Sequence, residues 1–294
     1  MRGRDPLLPI LAQLTNRDRH LLELLHDHKV LTTEQICTAL FPNLDTAQHR
    51  LIKLYRLGVV DRFRWLREGG GSYSWRYTIG PLGAAYVAAL RGVDPPRADK
   101  LTAQRRRLAT SPTLDHTLGA NQFGVDLLGH TRAHPATKLV RWWSPQQASA
   151  PYAFGFAVVA RLIPDAHGIW TDSDHAMGWF LEYDTGTEPL TRLVDKLTRY
   201  SEFVNTGGPA FPVLFWLHSA AREHRLHQRL RAAPTAVPVA TAARDHSGPR
   251  HPAEAIWTLH GDAGPRRRLA DLPGQLTAEQ LHGILQPAIL RRER

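Results

Sequence analysis

Gly178-Trp179-Phe180-Leu181-Glu182-Tyr183-Asp184 is a short bulky apolar run that ends on two acids one residue apart. A stretch of this length and content reads as a buried strand, with the acids at its end. Upstream, a second apolar run, Phe156–Ile163, is followed directly by Pro164-Asp165, and Trp170–Ala176 reads as a polar turn between the two strands. Asp165, Glu182 and Asp184 are therefore expected in one cleft at the ends of adjacent strands. Ionised carboxylates repel one another, and bringing several together usually requires a cation between them. Hard oxygen donors select Mg²⁺ or Mn²⁺, the ions that activate water against phosphodiesters.

Working outward from this stretch, Thr187–Phe203 predicts a helix, with Leu190, Leu193, Val194, Leu197 and Tyr200 facing inward and Lys196 on its length. Phe211–Leu217 reads as a buried strand and Ala220–Leu230 as a further helix. On the N-terminal side lie a helix, His116–Leu128, and a strand, Lys138–Trp143; His116 and Asn121 of that helix are candidates to reach the same cleft. The order helix, three strands, helix, strand, helix describes an α/β sandwich on a mixed sheet. Ala232–Pro252 reads as surface loop, with an edge strand at Ile256–Leu259. His218, His224 and His227 have zinc-like spacing, but chance clustering is the better account in a chain with 16 histidines. Gly69-Gly70-Gly71 lacks the Lys-Ser/Thr that a phosphate loop needs, so nucleotide hydrolysis is not implied.

The first third has a different pattern. Thr15 is placed to cap a helix over Asn16–His28, and Thr32-Thr33-Glu34-Gln35 offers a capping box for a second. Asp45 is read as the cap of a third, Thr46–Leu57, closed by Gly58. Val59–Trp65 and Tyr73–Ile79 then form a hairpin around Gly69-Gly70-Gly71-Ser72, and Pro81–Leu90 closes the unit. Three helices and a hairpin is the winged helix-turn-helix order, whose third helix enters the DNA major groove. The candidate DNA contacts are His49, Arg50, Lys53 and Arg56 on that helix and Arg62, Arg64 and Arg76 on the wing, with Arg50 and Lys53 foremost.

Charge supports this division. The formal net charge is +10, and residues 1–110 hold 18 Lys and Arg against 10 Asp and Glu, while the remainder holds 19 against 17. A polyanion-binding surface is thus expected in the first third. Gly92–Thr110 carries Asp94-Pro95-Pro96 and Arg105-Arg106-Arg107, and reads as a linker whose arginines either hold passing DNA or form a solvated helix face. The single cysteine, Cys37, excludes an internal disulfide and a cysteine-based zinc site. No apolar run is long enough for a membrane span and the N-terminus makes a poor secretory signal, so a cytoplasmic protein without membrane partners is expected.

Asp165 with Glu182-x-acid on the α-β-β-β-α-β pattern, over roughly residues 114–232, resembles the PD-(D/E)XK nuclease superfamily. The N-terminal winged-helix pattern, the block Phe180–Glu188 and the following Lys196-x₃-Tyr200 resemble the replication-relaxation family. The resemblance implies a winged-helix DNA-binding domain over 1–92, a linker over 93–112, a nuclease-like domain over 113–260 and a C-terminal extension over 261–294. It implies a protein of plasmid replication, DNA relaxation or transfer that takes double-stranded DNA, with other replication or transfer proteins, or a second copy of the chain, as partners. It also implies catalysis by Asp165, Glu182, Asp184 and Lys196 with Mg²⁺ or Mn²⁺. The superfamily carries lysine where this chain has Asp184, so two alternatives stand. Either Lys196 supplies the missing cation from the next helix, giving a nuclease or nickase, or the domain is inactive and the chain is a DNA-binding replication factor or a transcription regulator.

Overall fold

Thr15 starts the first helix, α1 (Asn16–His28), through a reciprocal pair: its hydroxyl accepts from the Asp18 N–H, and the Asp18 carboxylate accepts from the Thr15 N–H at 2.7 Å. Thr32 and Gln35 repeat the arrangement at α2 (Thr33–Leu40). Between them β1 (Leu31–Thr32) forms a short strand that the sequence reading omits. The third helix, α3 (Leu44–Arg56), begins two residues earlier than expected. Asn43, not Asp45, is its cap, accepting from the Thr46 N–H at 2.9 Å, and Asp45 lies in the first turn. Gly58, at φ +70°, lets the chain turn out of α3. The chain then enters β2 (Val60–Phe63) and returns as β3 (Arg76–Ile79). The sheet order is β1-β3-β2, antiparallel throughout. Next comes α4 (Pro81–Arg91). Leu21, Leu22, Leu25, Ile36, Leu51, Leu54, Tyr77 and Val87 are buried among these elements.

The computed structural model describes residues 12–148, 162–232, 235–247 and 251–285. It divides into two compact units, one ending at Val125 and one beginning at Asp126. The segment read as a linker contains a helix, α5 (Ala98–Ala109), which buries no residue; Arg105 in it is ion-paired with Asp61. The boundary falls inside α6 (Leu114–Ala133), because its first half belongs to the N-terminal unit. There Leu114 and Leu118 pack with Val30.

Among the described residues the second unit is built on a six-stranded mixed sheet, β4 (Thr137–Trp143), β5 (Ala166–Asp172), β6 (His175–Tyr183), β7 (Val213–Leu217), β8 (Val239–Ala243) and β9 (Thr258–Leu259), in that order. The first three strands form an antiparallel meander, β6, β7 and β8 are parallel, and β9 is an antiparallel edge. Parallel neighbours need a crossover, here supplied by α7 (Leu190–Asn205) between β6 and β7 and α8 (Ala220–Leu230) between β7 and β8. Phe180, Phe215 and Val239 of the sheet pack against Leu193, Leu197, Tyr200 and Phe203 of α7 and Leu226 and Leu230 of α8.

Two expectations are corrected here. The region read as loop, 232–252, contains β8, whose Val-Ala-Thr-Ala-Ala sequence is too small-sided to stand out as a buried strand. The stretch from Trp170 read as a turn is instead the end of β5 and the start of β6, with Ser173 and Asp174 at the bend. Gly168 hides this strand in the sequence. It is glycine because the Trp179 ring lies across it, and a β-carbon there would come within 2.3 Å of that ring. The expected strand over Phe156–Ile163 lies largely on residues 156–161, outside the described residues.

Candidate functional site

The register of the β5–β6 hairpin creates the site. Ala166 pairs with Leu181, so Asp165, which stands just before β5, lies beside the residues that end β6. Its carboxylate accepts the Tyr183 N–H at 2.8 Å, and its own N–H donates to the Leu181 carbonyl at 3.0 Å. Asp165 thus stands immediately before β5, and the antiparallel hairpin brings it beside Glu182.

Glu182 is buried, and both of its carboxylate oxygens have donors from α7. The Lys196 ammonium donates to Oε2 at 3.0 Å and the Tyr200 hydroxyl to Oε1 at 2.7 Å. Lys196 and Tyr200 are four residues apart, one helical turn, so they project side by side from one face. Lys196 also reaches Glu188, at 3.2 Å. Burial, and then the Asp165 charge, push the Glu182 carboxyl up to about 7, against the opposing pull of Lys196 and Tyr200. Burial works against the Lys196 ammonium, but Glu182, Asp165 and Glu188 outweigh it and hold the group above its ordinary value. Burial and the neighbouring Glu182 raise the Tyr200 phenol well above its usual range, so it stays a donor.

Asp184 does not join this group. Arg222 of α8 holds it in a two-point ion pair, Nε to Oδ2 at 2.5 Å and Nη2 to Oδ1 at 2.8 Å, and also donates to the Glu188 carbonyl. Arg244, just after β8, donates to the carbonyls of Trp216 and Asp184, both at 2.8 Å, and lies over the Tyr183 ring. Among the described residues no group of three or more His, Cys, Asp and Glu side chains is arranged to hold a metal ion. The expected three-carboxylate cage is therefore reduced to Asp165 and Glu182. Asn121 is engaged elsewhere: its amide donates to the His28 and Val30 carbonyls within the N-terminal unit, to which His116 also belongs. Of the three spaced histidines, His227 bonds Thr241 at 2.7 Å and lies 3.3 Å from His260, while His224 bonds Gln228. Arg222, Tyr200 and Glu188 complete the site. The Lys196-x₃-Tyr200 spacing is the sequence signal for Tyr200, whereas nothing local marks Arg222.

On α3, Thr46, Gln48, His49, Lys53 and Arg56 are exposed, as is Arg64 beyond β2. His49 folds back on its own helix, 3.4 Å from the Asp45 carboxylate. Arg50 departs from its expected place among the DNA contacts. Its guanidinium is ion-paired with the fully buried Asp18 and donates to the Gln13 carbonyl at 2.8 Å. Burial opposes ionisation of Asp18, but the Arg50 and Thr15 hydrogen bonds prevail and hold its carboxyl below the usual range. Arg76 is buried and Arg62 half-buried, both against aromatic rings.

Arg50→Ala is accordingly expected to destabilise the N-terminal unit by about 2–4 kcal/mol, because it leaves the Asp18 charge buried without its partner. Chemical denaturation of the wild type and variant checks this. A loss below about 0.5 kcal/mol would mean the pair is only a surface contact.

A family model described as Replication-relaxation matches residues 22–213. No curated protein and no solved structure matches the chain. Among the described residues no helix is long and apolar enough to cross a membrane.

Proposed function

The chain belongs to the replication-relaxation family, and from that premise we propose that it binds plasmid DNA through its N-terminal unit and nicks it by divalent-metal-dependent phosphodiester hydrolysis. The N-terminal order of three helices and a hairpin supports a winged helix. The order helix, antiparallel meander, helix, parallel strand supports a PD-(D/E)XK-like second unit. The observation that carries the chemistry is the Lys196 ammonium 3.0 Å from Glu182, with the Asp165 charge adjoining.

Asp165 and Glu182 fit Mg²⁺ or Mn²⁺: they are hard oxygen donors whose mutual repulsion a cation would relieve. Asp184, with both oxygens on Arg222, does not fit. When bound, such an ion supplies an activated water and Lewis-acid polarisation of the phosphate. Lys196 offsets the negative charge that builds on the phosphoryl oxygens. Tyr200 fixes the Glu182 carboxylate, and Arg222 draws the strand end against α8 through Asp184.

Metal binding needs ionised Glu182. Its raised value means that nicking should increase between roughly pH 6 and 8 and level off above. The same shift has the opposite sign for stability. The folded unit retains a proton that the unfolded chain has already released, so this group's contribution falls as pH rises from the ordinary Glu value to about 7. A pH series of nicking rates and of unfolding midpoints reads both slopes.

A second reading, a DNA-binding factor without catalysis, is favoured by the full occupancy of the Glu182 oxygens by Lys196 and Tyr200. Supercoiled plasmid incubated with purified protein and Mg²⁺ or Mn²⁺ separates the two. The nuclease reading expects nicked circles from the wild type and none from Asp165→Ala. Equal nicking by both proteins removes it, and DNA binding without nicking by either leaves the second reading.

For the DNA face, Lys53 and Arg56 are the exposed cations of α3. Replacing both with alanine should weaken duplex binding and reduce the slope of log affinity against log salt by roughly 1 for each phosphate no longer neutralised. An unchanged slope would remove α3 from the interface.

A further inference from the structure

Residues 62–76 interleave four arginines, Arg62, Arg64, Arg67 and Arg76, with four aromatics, Phe63, Trp65, Tyr73 and Trp75, against the single acid Glu68. The guanidinium of Arg62 lies 3.9 Å from the Trp75 ring centre and that of Arg64 4.2 Å. Arg76 lies 4.3 Å over Trp65, and Arg67 4.8 Å over Tyr73. None of the four is ion-paired with a carboxylate among the described residues. Elsewhere in this unit Arg50, Arg91 and Arg105 are each neutralised by an aspartate. The wing therefore keeps its positive charge, held in place by rings.

Part of each of two rings, beyond the face its arginine covers, is also open to solvent. Trp65 is 37 % exposed, Tyr73 45 % and Leu66, between the two strand extensions, 80 %. The Tyr73 N–H donates to the Trp65 carbonyl at 3.0 Å, so the two rings belong to neighbouring positions across the hairpin. A wing that only tracked a duplex backbone would need the cations and gain nothing from solvated indole and phenol. In a duplex the bases are stacked on one another and offer no free face. An unpaired strand offers both a phosphate chain and base faces, and stacking on an aromatic side chain contributes about 1–3 kcal/mol per base regardless of sequence.

We propose that the wing is a single-stranded DNA site, in which unpaired bases stack on Trp65 and Tyr73 while the exposed Arg64 and Arg67 face the phosphates and the more buried Arg62 and Arg76 brace the rings. This rests on the DNA-binding reading above and adds to it the form of DNA taken. It gives the N-terminal unit two surfaces, α3 for duplex and the wing for an opened strand beside it.

The test measures binding of the full chain to three labelled probes by fluorescence anisotropy: a dT12 strand, an abasic strand with the same phosphates, and a duplex of equal length. The wild type should bind dT12 about tenfold or more tightly than the abasic strand. Trp65→Ala with Tyr73→Ala should remove that difference while duplex affinity changes less than about threefold, and Trp65→Phe with Tyr73→Phe should largely restore it. Equal binding of dT12 and the abasic strand by the wild type overturns the proposal, since charge alone would then explain the binding. So does an equal loss on strand and duplex in the alanine variant. Duplex binding without strand binding defeats this proposal and spares the DNA reading, whereas binding of no probe defeats both.

Discussion

Arg222→Met is expected to destabilise the α/β unit by about 3–5 kcal/mol, the cost of stranding one member of a buried ion pair. Asp184 and Arg222 are both buried, their two hydrogen bonds measure 2.5 and 2.8 Å, and Arg222 also satisfies the Glu188 carbonyl. Methionine keeps the apolar stem and removes every donor. Asp184→Asn with Arg222→Met should recover a large part of the loss, because a neutral amide no longer brings an unpaired charge into the interior. Denaturant midpoints of the single and double variants read the coupling. If the single variant loses less than about 1 kcal/mol, water reaches Asp184 and the pair is not the clamp that draws α8 onto the end of β6.

Lys196→Met is expected to slow metal-dependent nicking about 10²–10³-fold, by analogy with removing one donor that stabilises transition-state charge. DNA affinity should stay within about twofold, since Lys196 lies outside the basic N-terminal unit. The pH profile should move as well. Lys196 is the leading influence holding the Glu182 carboxyl down against burial and Asp165, so without it Glu182 ionises at still higher pH and the rise in rate shifts alkaline. A purely structural lysine would lower the rate at every pH equally. Lys196→Arg should restore part of the rate, because it returns the charge with different reach. Nicking by Lys196→Met at the wild-type rate would transfer the activity to other groups or to a contaminant.

The helix caps were legible because they are local. Thr15 with Asp18 and Thr32 with Gln35 act over three residues, and both appear where the sequence puts them. Asp45 misled because Asn43 offers the same chemistry two residues earlier, where the backbone is extended and its side chain can reach the Thr46 N–H. Bulky apolar runs marked β6 and β7 plainly. They failed for β5 and β8, whose small residues are buried by neighbours distant in sequence: Gly168 under Trp179, and the alanines of β8 beside α8 and β9.

By itself the sequence determined the two-part organisation, the basic N-terminal unit, the α7 spacing that puts Lys196 and Tyr200 on one face, and the candidacy of Asp165 and Glu182. Each is a property of composition or of separations within a helical turn or a strand. Only the tertiary structure decided which charges remain available. Asp184 meets Arg222 across 38 residues and Arg50 meets Asp18 across 32, so both leave the surfaces for which their local context recommended them. Among the described residues the wing arginines have aromatic rings, and not carboxylates, at their sides. A side chain's chemistry is written at its own position, but whether that chemistry is spent internally depends on the partner that folding delivers.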